Sequence, residues 1–365
     1  MTSITLRRTP LFDALVKVGG RMVDFHGWEM PVQFSGIVAE HKAVRNACGV
    51  FDVSHMGQVF VTGPDAHRFV QYVNSNNIKC EPGKGVYSHI LADNGGIIDD
   101  AISFCIEPER FLIVVNAATL AKDFAWFEKQ SAGFNVKLEN ASDRFGMVAV
   151  QGPKAPALAG EIFPAALRLP RFGILETEFG GEYTVVTRTG YTGEDGFEVA
   201  ASPKGINAFF DELLRRGGAY GLLPCGLGSR DTLRLEAGYL LYGSDADEDH
   251  TSYEAGCGWV VKPKKGEFIG RDAVLRRKDA GLREKLTGFR LTGRGVPRHG
   301  CAVYKDGVRI GALNSATFSP SLNAGIGVGY VTPVNLEPGD KVEIEIHGAR
   351  VAAEVAKTPF YDNKV

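Results

Sequence analysis

The sequence predicts an α+β fold followed by a smaller, β-rich C-terminal part. Up to about Val261, segments with apolar residues at helical spacing are mixed with short runs of β-branched residues. From Leu286 to Pro359 the chain has only short strand-like segments and turns, including the hairpin signal Lys305-Asp306-Gly307. The 45 glycines among 365 residues favour many tight turns. We therefore expect a large α+β region and a small all-β barrel or sandwich after it.

Composition argues against several classes of protein. The formal net charge is -2 and 23% of the residues are charged, which favours neither nucleic-acid binding nor extensive disorder. The six cysteines are scattered without a paired spacing, as is typical of thiols in a reducing compartment. The first ten residues lack a secretory pattern, and no apolar run is long enough to span a membrane. We expect a soluble, cytoplasmic protein that binds neither nucleic acid nor membranes.

The first sixty residues predict two helices and one strand. Apolar residues at helical spacing predict a helix over Leu11–Val18 and another over Gly36–Asn46. The aromatic passage Phe25–Phe34 between them predicts a packed irregular loop, which lies either beside a pocket or on the surface. The segment Phe51–Val61 alternates imperfectly and is predicted to be one strand.

A helix is predicted over Pro64–Tyr72, and a hairpin follows it around a pair of glycines. Val86–Ala92 and the β-branched run after Gly96 are both strand-like. The four residues Asp93-Asn94-Gly95-Gly96 between them are a strong turn signal. The two strands are therefore expected to pair antiparallel.

Asp100 lies just after this turn, inside the second strand of the hairpin. Because strand side chains point alternately to opposite faces, Asp100 shares a face with Ile98 and Ile102, whereas Asp99 points to the other face. An ionised carboxylate in an apolar row needs specific partners or takes up a proton, so Asp100 is a candidate site residue. A solvated position at the mouth of the turn explains the same pattern equally well.

The next strand ends at a second polar residue. Phe111–Val115 predicts a fully buried strand, and Ala117–Gln130 predicts a helix with one apolar stripe. Asn116 lies between the two elements. It either caps the helix or faces a ligand at the end of the strand, and the sequence leaves both readings open.

Two further charged residues occur on later elements. A strand is predicted over Phe145–Val150, and Tyr183–Val199 predicts a hairpin in which Glu198 points away from its apolar neighbours. Cys225–Gly238 predicts a helix that carries Arg230. Solvated salt bridging is the default explanation for an arginine on such a helix.

The stretch from Lys262 to Lys285 is rich in lysine and arginine. It is predicted to contain the boundary between the two parts of the chain. A run of this kind is usually a solvated face, and a docking surface for an acidic partner is the less common alternative.

Several familiar site types have no matching motif in the sequence. There is no Gly-x-x-x-x-Gly-Lys-Ser/Thr loop, no N-terminal Gly-x-Gly-x-x-Gly after a strand, and no Gly-x-Ser-x-Gly elbow. No metal-ligand spacing occurs either. We therefore expect neither a metal, nor a flavin, nor a nicotinamide cofactor. The remaining acidic, aromatic and arginine residues would suit a flat, polar heterocycle.

Five motifs occur in order along nearly the whole chain, which ends with Pro359-Phe360-Tyr361. They are Phe25-His-Gly-Trp-Glu-Met-Pro-Val32, Phe51-Asp-Val-Ser-His-Met-Gly57, Gly95-Gly-Ile-Ile-Asp-Asp100, Gly190-Tyr-Thr-Gly-Glu-Asp-Gly196 and Arg230-Asp-Thr-Leu-Arg-Leu-Glu-Ala-Gly238. This ordered set resembles the T-protein family of the glycine cleavage system, the aminomethyltransferases. The resemblance implies transfer of a one-carbon unit from an aminomethyl group on the lipoyl arm of the H-protein to tetrahydrofolate. The expected products are 5,10-methylenetetrahydrofolate and ammonia.

The resemblance also implies three domains around a central folate channel. Two sequence-interleaved α+β domains would form the folate-binding catalytic region, residues 1–265. A basic linker would follow over residues 266–285, and a C-terminal β-barrel-like domain over residues 286–365. Tetrahydrofolate would be a co-substrate, the lipoylated H-protein the protein partner, and a monomer is the expected oligomeric state.

The resemblance implies ten site residues. Asp100 would be the catalytic carboxylate beside the folate bridge nitrogen, as a general base or as an electrostatic partner of a developing iminium cation. Glu198 and Arg230 would bind folate, and a carboxylate suits the adjacent ring and exocyclic donors of a pterin edge. The other positions expected to contact or line the folate pocket are Tyr361, Met56, Tyr87, Asn116, Phe172, Tyr191 and Tyr239.

The sequence allows three alternatives to the aminomethyltransferase function. A folate-dependent demethylase acting on an S- or N-methyl compound shares the fold. A non-catalytic folate-binding relative is disfavoured by the presence of Asp100. A part of a flavin-linked amine oxidase is disfavoured by the missing dinucleotide motif.

Overall fold

A computed structural model describes residues 5–362. The helices of this part of the chain are α1 (Phe12–Lys17), α2 (Ile37–Asn46), α3 (Ala66–Val73), α4 (Leu120–Gln130), α5 (Ala155–Ile162), α6 (Pro203–Gly217), α7 (Leu227–Glu236) and α8 (Arg271–Asp279). The strands that precede α7 are β1 (Arg21–Phe25), β2 (Trp28–Gln33), β3 (Cys48–Asp52), β4 (Gly57–Thr62), β5 (Lys84–Leu91), β6 (Ile97–Glu107), β7 (Arg110–Val115), β8 (Lys137–Asn140), β9 (Gly146–Gln151), β10 (Ile174–Phe179), β11 (Glu182–Thr187), β12 (Gly196–Ala201) and β13 (Leu222–Pro224). Those that follow α8 are β14 (Lys285–Leu291), β15 (Ala302–Lys305), β16 (Val308–Ala312), β17 (Ser315–Ser319), β18 (Ala324–Val331), β19 (Lys341–Ile346) and β20 (Ala349–Ala356).

Two sheets pack face to face in the larger part of the chain. One has the strand order β10-β11-β12-β9-β3-β13 and the other β5-β6-β7-β4-β8. A shared core between them takes Phe51 and Val185 from the first sheet and Phe104 and Leu112 from the second. Helices α5 and α6 cover the outer face of the first sheet, and α3 and α4 cover that of the second. Each sheet thus buries both faces, and the space between the two sheets is enclosed.

The chain passes between the two sheets rather than completing one before the other. Strand β3 belongs to the six-stranded sheet, the five strands β4 to β8 build the other sheet, and β9 returns beside β3. Residues from distant parts of the sequence therefore face each other across the space between the sheets.

The last strands close into a barrel. Their order is β14-β20-β19-β15-β16-β18, and β14 also pairs with β18, which completes the ring. Strand β17 pairs with β18 from outside this ring. The interior is filled by Phe289, Val303, Ile344 and other apolar side chains. Helix α8 lies inside the segment 266–285 that was predicted as a linker.

Two local predictions are wrong. Phe25–Phe34 is not an irregular loop, because Arg21–Phe25 and Trp28–Gln33 pair as a hairpin. The turn between these strands has positive φ at His26 and Gly27, +50° and +83°. Phe51–Val61 is two strands rather than one, because Asp52 accepts the Ser54 backbone N–H at 2.9 Å and the chain turns there.

Among residues 5–362, no helix is both long enough and apolar enough to cross a membrane. The other predicted helices and strands of the α+β region occur within a few residues of their expected positions.

Candidate active site

Asp100 lies on the face of β6 that points into the space between the two sheets. Ile102 and Phe104 on the same face pack into the shared core, as alternation predicts. Ile98 does not share this face, which corrects the sequence prediction. The register between β5 and β6 shifts by one residue next to Ile98, and its side chain packs among the residues under α3 and α4.

The Asp100 carboxylate accepts two hydrogen bonds from neighbouring strands. Tyr87 Oη donates to one oxygen at 2.9 Å, and Asn116 Nδ2 donates to the other at 2.9 Å. The pKa of Asp100 is raised to about 7, chiefly by burial and then by the nearby Asp99, while the hydrogen bonds from Tyr87 and Asn116 oppose the rise. Near neutral pH this carboxyl can therefore either hold or release a proton.

Asp99 is fully buried and points to the opposite face, as expected. Its carboxylate accepts the backbone N–H of Asn116 at 3.0 Å, Asn116 Nδ2 at 2.8 Å and the Thr119 hydroxyl at 2.9 Å. Asn116 is not the helix cap, because α4 begins at Leu120 and the cap position is Thr119. The Asn116 amide instead bridges Asp99 and Asp100, so it fixes the orientation of both carboxyl groups.

A third carboxyl lies behind Asp99. Asp123 on α4 is fully buried, and no donor from the described residues reaches either of its carboxyl oxygens. The pKa of Asp123 is raised to about 10, chiefly by burial and then by the adjacent Asp99. Asp123 is therefore protonated at neutral pH, next to the Asp99 carboxyl. No sequence motif indicated this residue.

A cavity between the sheets is lined by Glu198 and by Ile102, which lies two residues after Asp100 on the same face of β6. The lining residues are Gln58, Ile102, Phe104, Leu112, Val114, Met147, Val185, Thr187, Glu198 and Ala200. Glu198 points into it from β12, away from its buried apolar neighbours, as predicted. Thr189 donates to Glu198 Oε2 at 2.5 Å, and burial raises the pKa of this carboxyl.

Arg230 carries an unused donor in this region. Its Nη1 is buried and has no hydrogen-bond partner among the described residues. Its guanidinium carbon lies 4.6 Å from the centre of the Tyr191 ring. Burial lowers the pKa of Arg230, and Glu198 opposes the change. The salt-bridge explanation applies to Arg234 instead, which pairs with Asp231 and Asp245.

Aromatic rings border both sides of the acidic residues. Tyr191 stacks on Tyr239 with ring centres 5.8 Å apart, and Arg171 donates to the Tyr239 hydroxyl at 3.1 Å. Tyr87 stacks on Trp259 with ring centres 5.9 Å apart. Trp259 is 57% exposed, and no sequence motif indicated it. Such rings offer flat faces to an aromatic ligand.

The three remaining predicted residues lie around this cluster and not at its centre. Met56 precedes β4 and packs against the core between the sheets. Phe172 has a positive φ of 61°, and its carbonyl accepts the Gly85 N–H at 2.6 Å. The ring of Tyr361 lies 4.3 Å from the guanidinium carbon of Arg45, beside α2 and α7. The structure therefore brings Asp100 together with Tyr87 and Asn116 most closely.

Within residues 5–362, no group of three His, Cys, Asp or Glu side chains is arranged to hold a metal ion.

Known proteins match this chain over nearly its full length. Residues 11–265 match the GCVT N-terminal domain, and residues 284–362 match the glycine cleavage T-protein C-terminal barrel domain. The chain is 42% identical to an aminomethyltransferase of Halothermothrix orenii, over 97% of this chain and 100% of that protein. It is 41% identical to an aminomethyltransferase of Bacillus subtilis, over 98% of this chain and 99% of that protein. The chain belongs to the glycine cleavage T-protein family.

Structural comparison agrees with this membership. The crystal structure of glycine cleavage system aminomethyltransferase T from Bartonella henselae matches with a TM-score of 0.92 and 32% identity, over 98% of both chains. The family resemblance and the α+β fold class with a C-terminal barrel, both predicted from the sequence, are thereby confirmed. The domain bounds 1–265, 266–285 and 286–365 and the roles of the site residues stay predictions.

Proposed function

We propose that this chain transfers the one-carbon unit of an H-protein-bound aminomethyl group to tetrahydrofolate, which makes it a tetrahydrofolate-dependent aminomethyltransferase. The observation that carries the proposal is the match of the whole chain to aminomethyltransferases from several organisms. The half-buried Asp100 carboxylate is consistent with such a reaction, since it lies on the strand whose Ile102 and Phe104 line a largely apolar cavity.

The proposed reaction replaces two bonds of the aminomethyl carbon. Its bonds to the lipoyl sulfur and to the amine nitrogen break, and two bonds to folate nitrogens form. The two protons released from the folate nitrogens end on the thiol and on ammonia, so no oxidant or reductant is needed. The products are 5,10-methylenetetrahydrofolate, ammonia and the dihydrolipoyl carrier.

We assign to Asp100 the role of acting on the folate nitrogen that reacts. With a pKa of about 7 it can accept a proton from the folate amine. Its negative charge can equally stabilise a developing iminium cation. Tyr87 and Asn116 hold the carboxylate in one orientation, which either role requires.

Glu198 of the cavity, Arg230 and three tyrosines are assigned to the folate. Glu198 would accept from the pterin N–H donors, and Arg230 would supply its unpaired Nη1 to an acceptor. Tyr87, Tyr191 and Tyr239 would contact the flat rings. Asn116 would act through Asp100, and Met56, Phe172 and Tyr361 would shape the surroundings.

A coupled assay tests this function directly. Purified protein is incubated with an aminomethylated, lipoylated H-protein, and released ammonia is measured with and without tetrahydrofolate. We expect release that depends on tetrahydrofolate and matches the methylenetetrahydrofolate formed. Turnover of an S- or N-methyl compound, without activity on the carrier, would instead indicate the demethylase. A monomeric state and a cytoplasmic location stay predictions.

A further inference from the structure

Gln58 on β4 is a buried side chain with an unused donor. The residue is 1% exposed, and its Nε2 has no hydrogen-bond partner among the described residues. Its strand neighbours Val59 and Val61 pack under the helices on the other face of the sheet. Gln58 therefore points into the space between the two sheets, where it lines the same cavity as Glu198.

Most of the cavity wall is apolar, so its few polar atoms determine which ligand can enter. The polar side chains of the lining are Gln58 from one sheet and Thr187 and Glu198 from the other. A buried amide N–H without a partner costs folding free energy, and native proteins rarely leave one unpaired. A carbonyl oxygen of a bound ligand would satisfy it.

Strand register relates Gln58 to Asp100. Gln58 lies opposite Val114 on β7, and Val114 lies opposite Ile102 on β6. Asp100 is the next residue on the same face of β6. Two strand spacings and one two-residue step put the Cα atoms of Gln58 and Asp100 about 12 Å apart. The side chains of Gln58 and Asp100 both extend towards the space between the sheets. A fused two-ring heterocycle is therefore long enough to contact both.

We propose that Gln58 determines specificity for the oxygen-bearing edge of the pterin. Its Nε2 donates to the 4-carbonyl oxygen, while Glu198 accepts from the neighbouring ring N–H and 2-amino group. The inference rests on the proposed function, because it takes the ligand to be a reduced folate. A 2-amino-4-oxo ring offers donors and an acceptor side by side, which matches an acceptor and a donor on facing sheets.

Paired ligands test this assignment. The probes are tetrahydrofolate and its 4-amino analogue, in which an amino group replaces the carbonyl oxygen. Their Kd values are measured by fluorescence titration with the wild-type chain, Gln58→Met and Gln58→Glu. Gln58→Met keeps the length and removes the donor. Gln130→Glu, at the end of α4 and outside the cavity, is the matched control for an added charge.

The decisive quantity is the ratio of the two Kd values, because it cancels general effects on the cavity. We expect Gln58→Met to reduce the preference for the 4-oxo ligand about 10-fold, as for one lost hydrogen bond to a buried partner. Gln58→Glu, which can only accept when ionised, should reduce it further. Gln130→Glu should leave the ratio unchanged. An unchanged ratio in Gln58→Met would overturn the assignment.

The outcomes separate this inference from the proposed function. If Gln58→Glu does not fold, Gln58→Met decides alone, since it is nearly isosteric and removes a buried unpaired group. An unchanged ratio together with tetrahydrofolate-dependent ammonia release by the wild-type chain refutes only the role of Gln58. Absence of that release in the wild-type chain refutes the proposed function itself.

Discussion

Replacing Asp100 by Asn tests the central carboxylate, because it keeps the shape and removes the charge. Tyr87 and Asn116 donate to different oxygens of Asp100. In the Asn side chain one of these oxygens is replaced by an NH₂ group, so only one of the two donors keeps its acceptor. Loss of a general base or of an electrostatic stabiliser typically costs 10² or more in rate. We expect kcat to fall about 10²-fold or more, with the Kd for tetrahydrofolate largely kept.

The same substitution should stabilise the protein at high pH. The pKa of Asp100 rises from 3.8 to about 7 on folding. Between these values the unfolded chain loses its proton and the folded chain keeps it, so the free energy of unfolding decreases as the pH rises. Above pH 7 the full penalty is present, up to about 4 kcal/mol. Asp100→Asn removes it, and Tm should increase by about 5 °C at most.

Two measurements check this prediction. Steady-state ammonia release gives kcat, and differential scanning calorimetry gives Tm at pH 4 and at pH 8. We expect slow turnover, a higher Tm at pH 8 and little change in Tm at pH 4. The wild-type rate should also increase between pH 6 and 8, with that dependence lost in the variant. Unchanged turnover would refute the role of Asp100, and a lower Tm at pH 8 would refute the burial argument.

Three further predictions concern the ligand and the carrier. Arg230→Ala should raise the Kd for tetrahydrofolate about 10- to 100-fold, as for a lost charged hydrogen bond; an unaltered Kd in isothermal titration would count against it. Glu198→Gln, which turns one acceptor into a donor, should weaken binding about 10-fold or more in the same titration, and equal affinity would remove Glu198 from the pterin edge. Reversing the exposed charges of Lys264 and Arg276 should raise the KM for the H-protein several-fold at low salt. Unchanged carrier kinetics would exclude this face, and ammonia release from a free aminomethyl-lipoyl compound is the control.

The basic stretch illustrates how tertiary contacts change a charge pattern. Arg277 and Arg283 both pair with Glu254, and Lys265 donates to backbone carbonyls at the end of α3. These three side chains are therefore already paired with groups of the same chain. The docking prediction therefore applies only to exposed members of the run, a distinction that sequence spacing does not contain.

Local rules predicted most elements and the face of Asp100. Alternation placed Asp100 and Ile102 together correctly, because both lie within regularly paired strand. It failed at Ile98, where a register shift inserts one residue and turns the side chain over. Asn116 was predicted either to cap a helix or to face a ligand; it is not the cap, and its amide holds two carboxyl groups. That outcome depends on where α4 begins, and a sequence pattern locates helix ends only within a few residues.

The sequence by itself determined the α+β class, the C-terminal barrel and the family, since these follow from periodicity and from ordered motifs along the chain. Only the tertiary structure decided which polar groups share one cavity. Gln58 and Glu198 belong to different sheets, and they line the same cavity because the two sheets pack face to face. Asp123 lies behind Asp99 because α4 packs on the outer face of the second sheet. Contacts between distant segments depend on packing, and no local pattern encodes them.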